Sequence, residues 1–99
     1  MSIRLMMVDD HPVVRAGLRA LLEADAEVEV VADVGSGDEA LQALDRLVTT
    51  GDGAPDLVLM DLNLGDGIGG IETTRKLRAQ HPGVQVLAEI GRASCRERV

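Results

Sequence analysis

The sequence contains no Phe, Tyr or Trp, a single cysteine, and no apolar run approaching the ~20 residues of a membrane span. Without aromatic rings there is no platform on which single-stranded bases could stack. One cysteine excludes an internal disulfide framework and a Cys-rich zinc centre. Basic residues are scarce as well: 10 Lys and Arg stand against 17 Asp and Glu, a formal charge of −7. A general binder of nucleic-acid backbone needs a basic surface, so that class is excluded. The N-terminus carries no signal-peptide pattern, and a soluble cytoplasmic domain is expected. What is present is ordinary for a globular chain. The 99 residues are 45% hydrophobic and 27% charged, enough for one small domain with one core.

Strand-like and helix-like segments alternate. Ile3 to Val8 is a short, mostly apolar run ending in Asp9-Asp10, which suits a buried parallel strand. Pro12 sits where a first helical turn tolerates it, with Asp10 or His11 as cap. Val14, Leu18, Leu21 and Leu22 follow at helical spacing and predict one apolar stripe between Arg15, Arg19 and Glu23. Val28 to Val34 is rich in β-branched residues and reads as a second strand. Ser36 and Glu39 make a capping-box pattern, behind which Ala40, Leu41, Leu44, Leu47 and Val48 form the inner face of a second helix. A turn-rich stretch over 49–55 leads to a third strand, Leu57 to Met60, ending in Asp61. After a glycine-rich loop, a helix over Ile71 to Gln80 stops at His81-Pro82-Gly83, and Val84 to Ala88 is a fourth strand. The order βαβαβαβ implies a parallel sheet with helices on its faces.

Two of these strands end in acids. In an open parallel sheet, ligands bind outside the carboxyl ends of the strands where the strand order reverses. With the order 2-1-3-4, strands one and three are neighbours, and Asp9, Asp10 and Asp61 share one mouth. A lone aspartate at a strand end is commonly a cap or a turn residue. Three of them a few ångströms apart repel and call for a cation, and hard oxygen ligands with room for water suit Mg²⁺. Met6, Met7 and Met60 read as core filler. His11 reads as a surface residue of the first turn, since no second His or Cys lies nearby to share a metal. Gly65, Gly67 and Gly70 do fall at Gly-x-Gly-x-x-Gly spacing, but the loop follows an acid that would repel phosphate unless a metal intervened, so the glycines by themselves do not mark a nucleotide loop.

These residues carry a resemblance. Val8-Asp9-Asp10-His11-Pro12-Val13-Val14-Arg15-Ala16-Gly17-Leu18 and Pro55-Asp56-Leu57-Val58-Leu59-Met60-Asp61-Leu62-Asn63-Leu64 look like a bacterial response-regulator receiver domain, most like those of LuxR/NarL-type transcription factors. Gly69 to Arg75 and Val84 to Ala88 continue the likeness, which covers residues 3–88. It implies a flavodoxin-like, doubly wound α/β/α fold. It also implies that Asp61 accepts a phosphoryl group from a sensor histidine kinase. Mg²⁺ would be held directly by Asp10 and Asp61, through water by Asp9, and by the backbone carbonyl of Asn63. In the intact parent, such a domain would control a C-terminal DNA-binding domain and could form a phosphorylation-dependent homodimer. Three other classes fit less well. A haloacid-dehalogenase-type phosphatase wants alternating acids on one strand, and Asp9-Asp10 are adjacent. A flavodoxin wants a Ser/Thr-rich phosphate loop where this chain has carboxylates. A phosphate-independent interaction module would have no need of all three acids.

The sequence departs from the receiver pattern at its end. Gly65 stands where proline is frequent, and Ile90 stands where a Ser or Thr switch residue is expected. A fourth helix, a fifth strand ending in lysine and a fifth helix do not follow, so the chain is expected to be a receiver truncated after strand four. Composition shifts at the same point. Residues 1–88 hold seven basic and fifteen acidic side chains, a balance of −8, whereas 89–99 carry +1 and the only cysteine, Cys95. Glu89 to Val99 resembles a translated short-read sequencing adapter whose next codon is a stop. The expected organisation is therefore a receiver over 1–88 and a non-native tail over 89–99.

Overall fold

A computed structural model describes residues 2–61, 64 and 68–89, the last two by backbone alone. The first apolar run forms β1 (Ile3–Val8), whose Leu5 to Val8 are all buried, as a strand covered on both faces requires. There follow α1 (Pro12–Glu23), β2 (Val28–Val34), α2 (Gly37–Thr49), β3 (Leu57–Asp61), α3 (Gly70–Gln80) and β4 (Gln85–Glu89). All pairings are parallel, in the order β2-β1-β3-β4. The chain steps outward from β1 to β2, then reverses across β1 to β3 and β4. With right-handed crossovers, that reversal puts α1 on one face of the sheet and α2 and α3 on the other. The result is the parallel sheet with helices on its faces that the alternation predicts, in the flavodoxin-like α/β/α arrangement that the resemblance implies.

The core lies between the sheet and the pair α2 and α3. Met6 and Val8 of β1 and Val58 and Met60 of β3 meet Ala40, Ala43 and Leu44 of α2, Leu77 of α3, and Val84. The three methionines expected as filler are indeed fully buried. The two helices approach closely where Gly37 begins α2. A Cβ there would press into Thr73 Oγ1 and lie 2.8 Å from Ile68 Cγ1, so only a glycine lets α2 reach this depth. At the opposite end of the sheet, Asp56 takes the Arg4 backbone N–H at 2.9 Å. The Arg4 guanidinium donates to the carbonyls of Gly53 and Ala54, tying the loop before β3 to β1.

Several local details differ from the sequence reading. Ser36 Oγ accepts the Glu39 N–H at 3.1 Å as a cap should, but the Glu39 carboxylate takes the Gly35 N–H at 2.8 Å instead of that of Ser36. His11 occupies the cap position of α1 without capping it, because its side chain turns toward the acids instead. Helix α3 starts at Gly70, where Gly69 O accepts both the Thr73 N–H and its hydroxyl. The largest difference concerns α1. None of its residues is buried: Leu18 and Leu22 are half-buried, while Val13 is 85% and Leu21 73% exposed. Among the described residues no second helix lies on that face to cover the outer flank of the stripe. Ion pairs from Arg15 and Arg19 to Asp33 of β2 hold α1 there.

Those ion pairs depend on a bulge. Leu5 pairs with Val30, but Met6 pairs with Ala32, so β2 has one extra residue, Val31, at this point. An unbroken register would set Asp33 beside Val8 on the core face. The bulge moves it beside Met7, on the α1 face, and returns Ala32 and Val34 to the core side.

Candidate functional site

Adjacent strands β1 and β3 run in register, Val8 beside Met60, so Asp9 and Asp61 emerge next to each other at the carboxyl edge. Asp10 follows at the start of the turn into α1. Together with His11, the ligand atoms of these three acids all lie within 4.8 Å of one another. Asp9 and Asp61 are buried and Asp10 is half-buried. The structure therefore brings the three acids named from the sequence into one cluster. Asn63, expected to add its carbonyl, and Ile90, at the expected switch position, lie outside the described residues.

The backbone of this edge is held on both sides. Asp9 N–H donates to Val34 O of β2 at 3.1 Å, and Arg15 Nη1 donates to Asp9 O at 2.9 Å. Arg15 Nε in turn contacts Asp33 Oδ1 at 2.7 Å. The chain of contacts Asp33–Arg15–Asp9 thus braces the acidic turn against the end of β2. From sequence alone Arg15 is only a polar flank of the α1 stripe. Its position five residues after the Asp pair is the one signal that it faces back to them.

His11 is the other residue that sequence reasoning missed. Its side chain is 59% exposed, as expected of a first-turn residue, but its Nδ1 points inward. It lies 2.9 Å from Asp9 Oδ1, 3.0 Å from Asp10 Oδ1 and 3.5 Å from Asp61 Oδ2. The Asp9 hydrogen bond raises the His11 pKa above its ordinary 6.5, and the charge of Asp10 adds to it. No second imidazole was needed to bring it to the site. The three carboxylates form a hard, all-oxygen donor set, which fits a divalent ion of the Mg²⁺ class. A groove lined by Ala54, Pro55, Gln80, Pro82 and Val84 lies at the other end of the sheet and gathers no comparable cluster.

Comparison with known proteins points the same way. The response regulator receiver domain family matches residues 5–97. The chain is 42% identical over 86 residues to the response regulator GacA of Pseudomonas viridiflava, a match covering 87% of this chain and 37% of that protein. It is 38% identical over 87 residues to the response regulator protein VraR of Staphylococcus aureus, covering 88% of this chain and 38% of that protein. It thus spans less than two fifths of the length of these curated relatives. Among solved structures, a LuxR-family two-component response regulator from Aurantimonas sp. SI85-9A1 is 40% identical with a TM-score of 0.74, covering 91% of this chain and 59% of that one. The receiver domain of NarL from Mycobacterium tuberculosis is 26% identical with a TM-score of 0.76, covering 90% and 66%. Among the described residues, no helix is long and apolar enough to cross a membrane. The sheet order, the paired acidic strand ends and the match over nearly the whole chain agree, and the chain belongs to the response regulator receiver domain family.

Proposed function

We propose that this chain is a phospho-accepting signalling module, and not an enzyme acting on an external substrate. Asp61 takes a phosphoryl group from a phosphohistidine of a sensor histidine kinase. In an intact parent, that event controls a C-terminal DNA-binding domain. The observation that carries this reading is the meeting of Asp9, Asp10 and Asp61 at the ends of two adjacent parallel strands.

Asp61 is the acceptor because it is the last residue of β3, its carboxylate at the rim of the sheet while its backbone stays in the ladder. In the transfer, an Asp61 oxygen forms the new P–O bond as the P–N bond of the donor breaks, and the departing imidazole takes up a proton. A carboxylate is a poor nucleophile toward an anionic phosphoryl group. Mg²⁺, held by Asp9, Asp10, Asp61 and the Asn63 carbonyl, would supply the charge neutralisation this step requires. The Arg15 bridge to Asp9 O and Asp33 keeps the acidic turn from splaying under its own charge. His11 shields the carboxylates from one another while no cation is bound.

The test is incubation of the chain with Mg²⁺ and a small acyl-phosphate donor, followed by intact-mass and peptide analysis. One phosphoryl group on Asp61 is expected, with none when Mg²⁺ is chelated and none on Asp61→Asn. An adduct that persists in Asp61→Asn would overturn the assignment, and no adduct on the wild type would show that the acidic pocket does not accept a phosphoryl group in this chain.

A further inference from the structure

One nitrogen atom occupies the point on which the carboxylates converge. His11 Nδ1 faces Asp9 Oδ1, Asp10 Oδ1 and Asp61 Oδ2 at 2.9, 3.0 and 3.5 Å. A ring nitrogen facing three acceptor oxygens carries its hydrogen, because its lone pair would otherwise meet theirs. A small divalent ion bonding to oxygens of these same groups must come within about 2.1 Å of them. There is no room for that ion and a ring N–H in the same gap. The ring is also tethered. The His11 backbone N–H donates to Asp9 Oδ1 at 2.8 Å, so main chain and ring grip the same carboxylate oxygen. With 59% of the side chain exposed, the ring can swing toward solvent without disturbing the core.

We propose that His11 is a tethered hydrogen-bond donor that fills the cation's place in the acidic pocket and must swing out before a divalent ion enters, so that it sets the metal affinity of the site. The proposal rests on the reading of Asp9, Asp10 and Asp61 as the metal centre. It adds that the resting pocket is already filled from within, by a hydrogen-bond donor next to its own ligands. Metal binding is then an exchange: the ring's hydrogen bond to Asp9 and its close contact with Asp10 are given up as ion–oxygen bonds form.

The test is calorimetric titration of the metal-stripped chain with Mg²⁺ at one fixed pH, for wild type, His11→Ala and His11→Gln. Ring nitrogen resonances of His11 are followed in parallel in the wild type. Removing a partly exposed donor to charged acceptors predicts binding about threefold to tenfold tighter in His11→Ala. His11→Gln, which keeps an N–H donor, should fall between the two. In the wild type, saturation with Mg²⁺ should shift the Nδ1 resonance away from its hydrogen-bonded position. Far-UV circular dichroism of each variant establishes that the fold is retained. Equal Mg²⁺ affinity in all three would overturn the role of His11 while leaving the metal centre standing. Weaker binding in His11→Ala would make the ring a ligand and overturn the displacement. Absence of Mg²⁺ binding in every variant would remove the metal-centre reading and this proposal together.

Discussion

Replacing Asp10 by asparagine should stabilise the metal-free chain, and the structure indicates by how much. The ligand atoms of Asp9, Asp10 and Asp61 are within 4.8 Å of one another. Two unit charges at that distance repel by about 3.5 kcal/mol at an effective dielectric of ~20. Asp10 faces two such neighbours, so the gross repulsion relieved is about 7 kcal/mol. Most of this is already offset. His11 Nδ1 lies 3.0 Å from Asp10 Oδ1, and the Asp10 side chain is 29% exposed, so water and counter-ions screen it further. A net gain of about 1 kcal/mol remains, which for a domain of this size is roughly 4–8 °C in Tm. The assay is a thermal melt of wild type and Asp10→Asn in chelator at pH 8, repeated with Mg²⁺ in excess. Without metal the variant should melt higher. With Mg²⁺ the wild type should rise, because the ion binds the folded state only, and the variant, having lost a ligand, should rise less. An Asp10→Asn chain that melts at or below the wild type in chelator would refute the idea that the three acids hold each other under repulsion.

The same substitution should act in opposite directions at two helical glycines. Gly37→Ala drives a methyl into Thr73 Oγ1 and the Ile68 backbone, and should destabilise by about 1–3 kcal/mol in denaturant melts. Gly17→Ala, within α1 and with nothing inside 4 Å of the new atom, should stabilise by up to about 1 kcal/mol. The acids raise the His11 pKa in the folded state, so its contribution to metal-free stability is fully present below pH 6.5 and is lost as pH climbs through the raised value. The Tm difference between wild type and His11→Phe should therefore be largest below pH 6.5 and shrink as the pH climbs through the raised value. A difference that stays constant across this range would show that the ring acts by packing instead of charge.

Much of this molecule was legible from its residues, and the reason is local. Strand and helix periods differ, and a βαβ chain cannot bury its apolar runs except by stacking them in a parallel sheet. The acids at the ends of β1 and β3 could be read as one cluster because the strand order alone makes those ends neighbours. The capping serine at position 36 was readable for the same reason, since it acts on an N–H three residues away. The failures are of another kind. A helical stripe shows which face is apolar but not whether anything covers it. Among the described residues, α1 has the stripe while Leu21 and Val13 remain exposed. For His11, the first-turn position predicts the exposed side chain that the structure has, but not the inward direction of Nδ1. Its role depends on where the turn aims its ring, which is set by Asp9 and the helix start together.

By itself, then, the sequence determined the element order, the parallel sheet and the identity of the three acids, because each follows from short-range pattern and chain direction. Only the tertiary structure decided what surrounds those acids. The extra residue in β2 opposite Leu5 and Met6 turns Asp33 out of the core and toward Arg15, and Arg15 then holds the Asp9 carbonyl. Register between two strands is a relation between residues far apart in the chain. A slip of one position exchanges the two faces of a strand with no change in its composition.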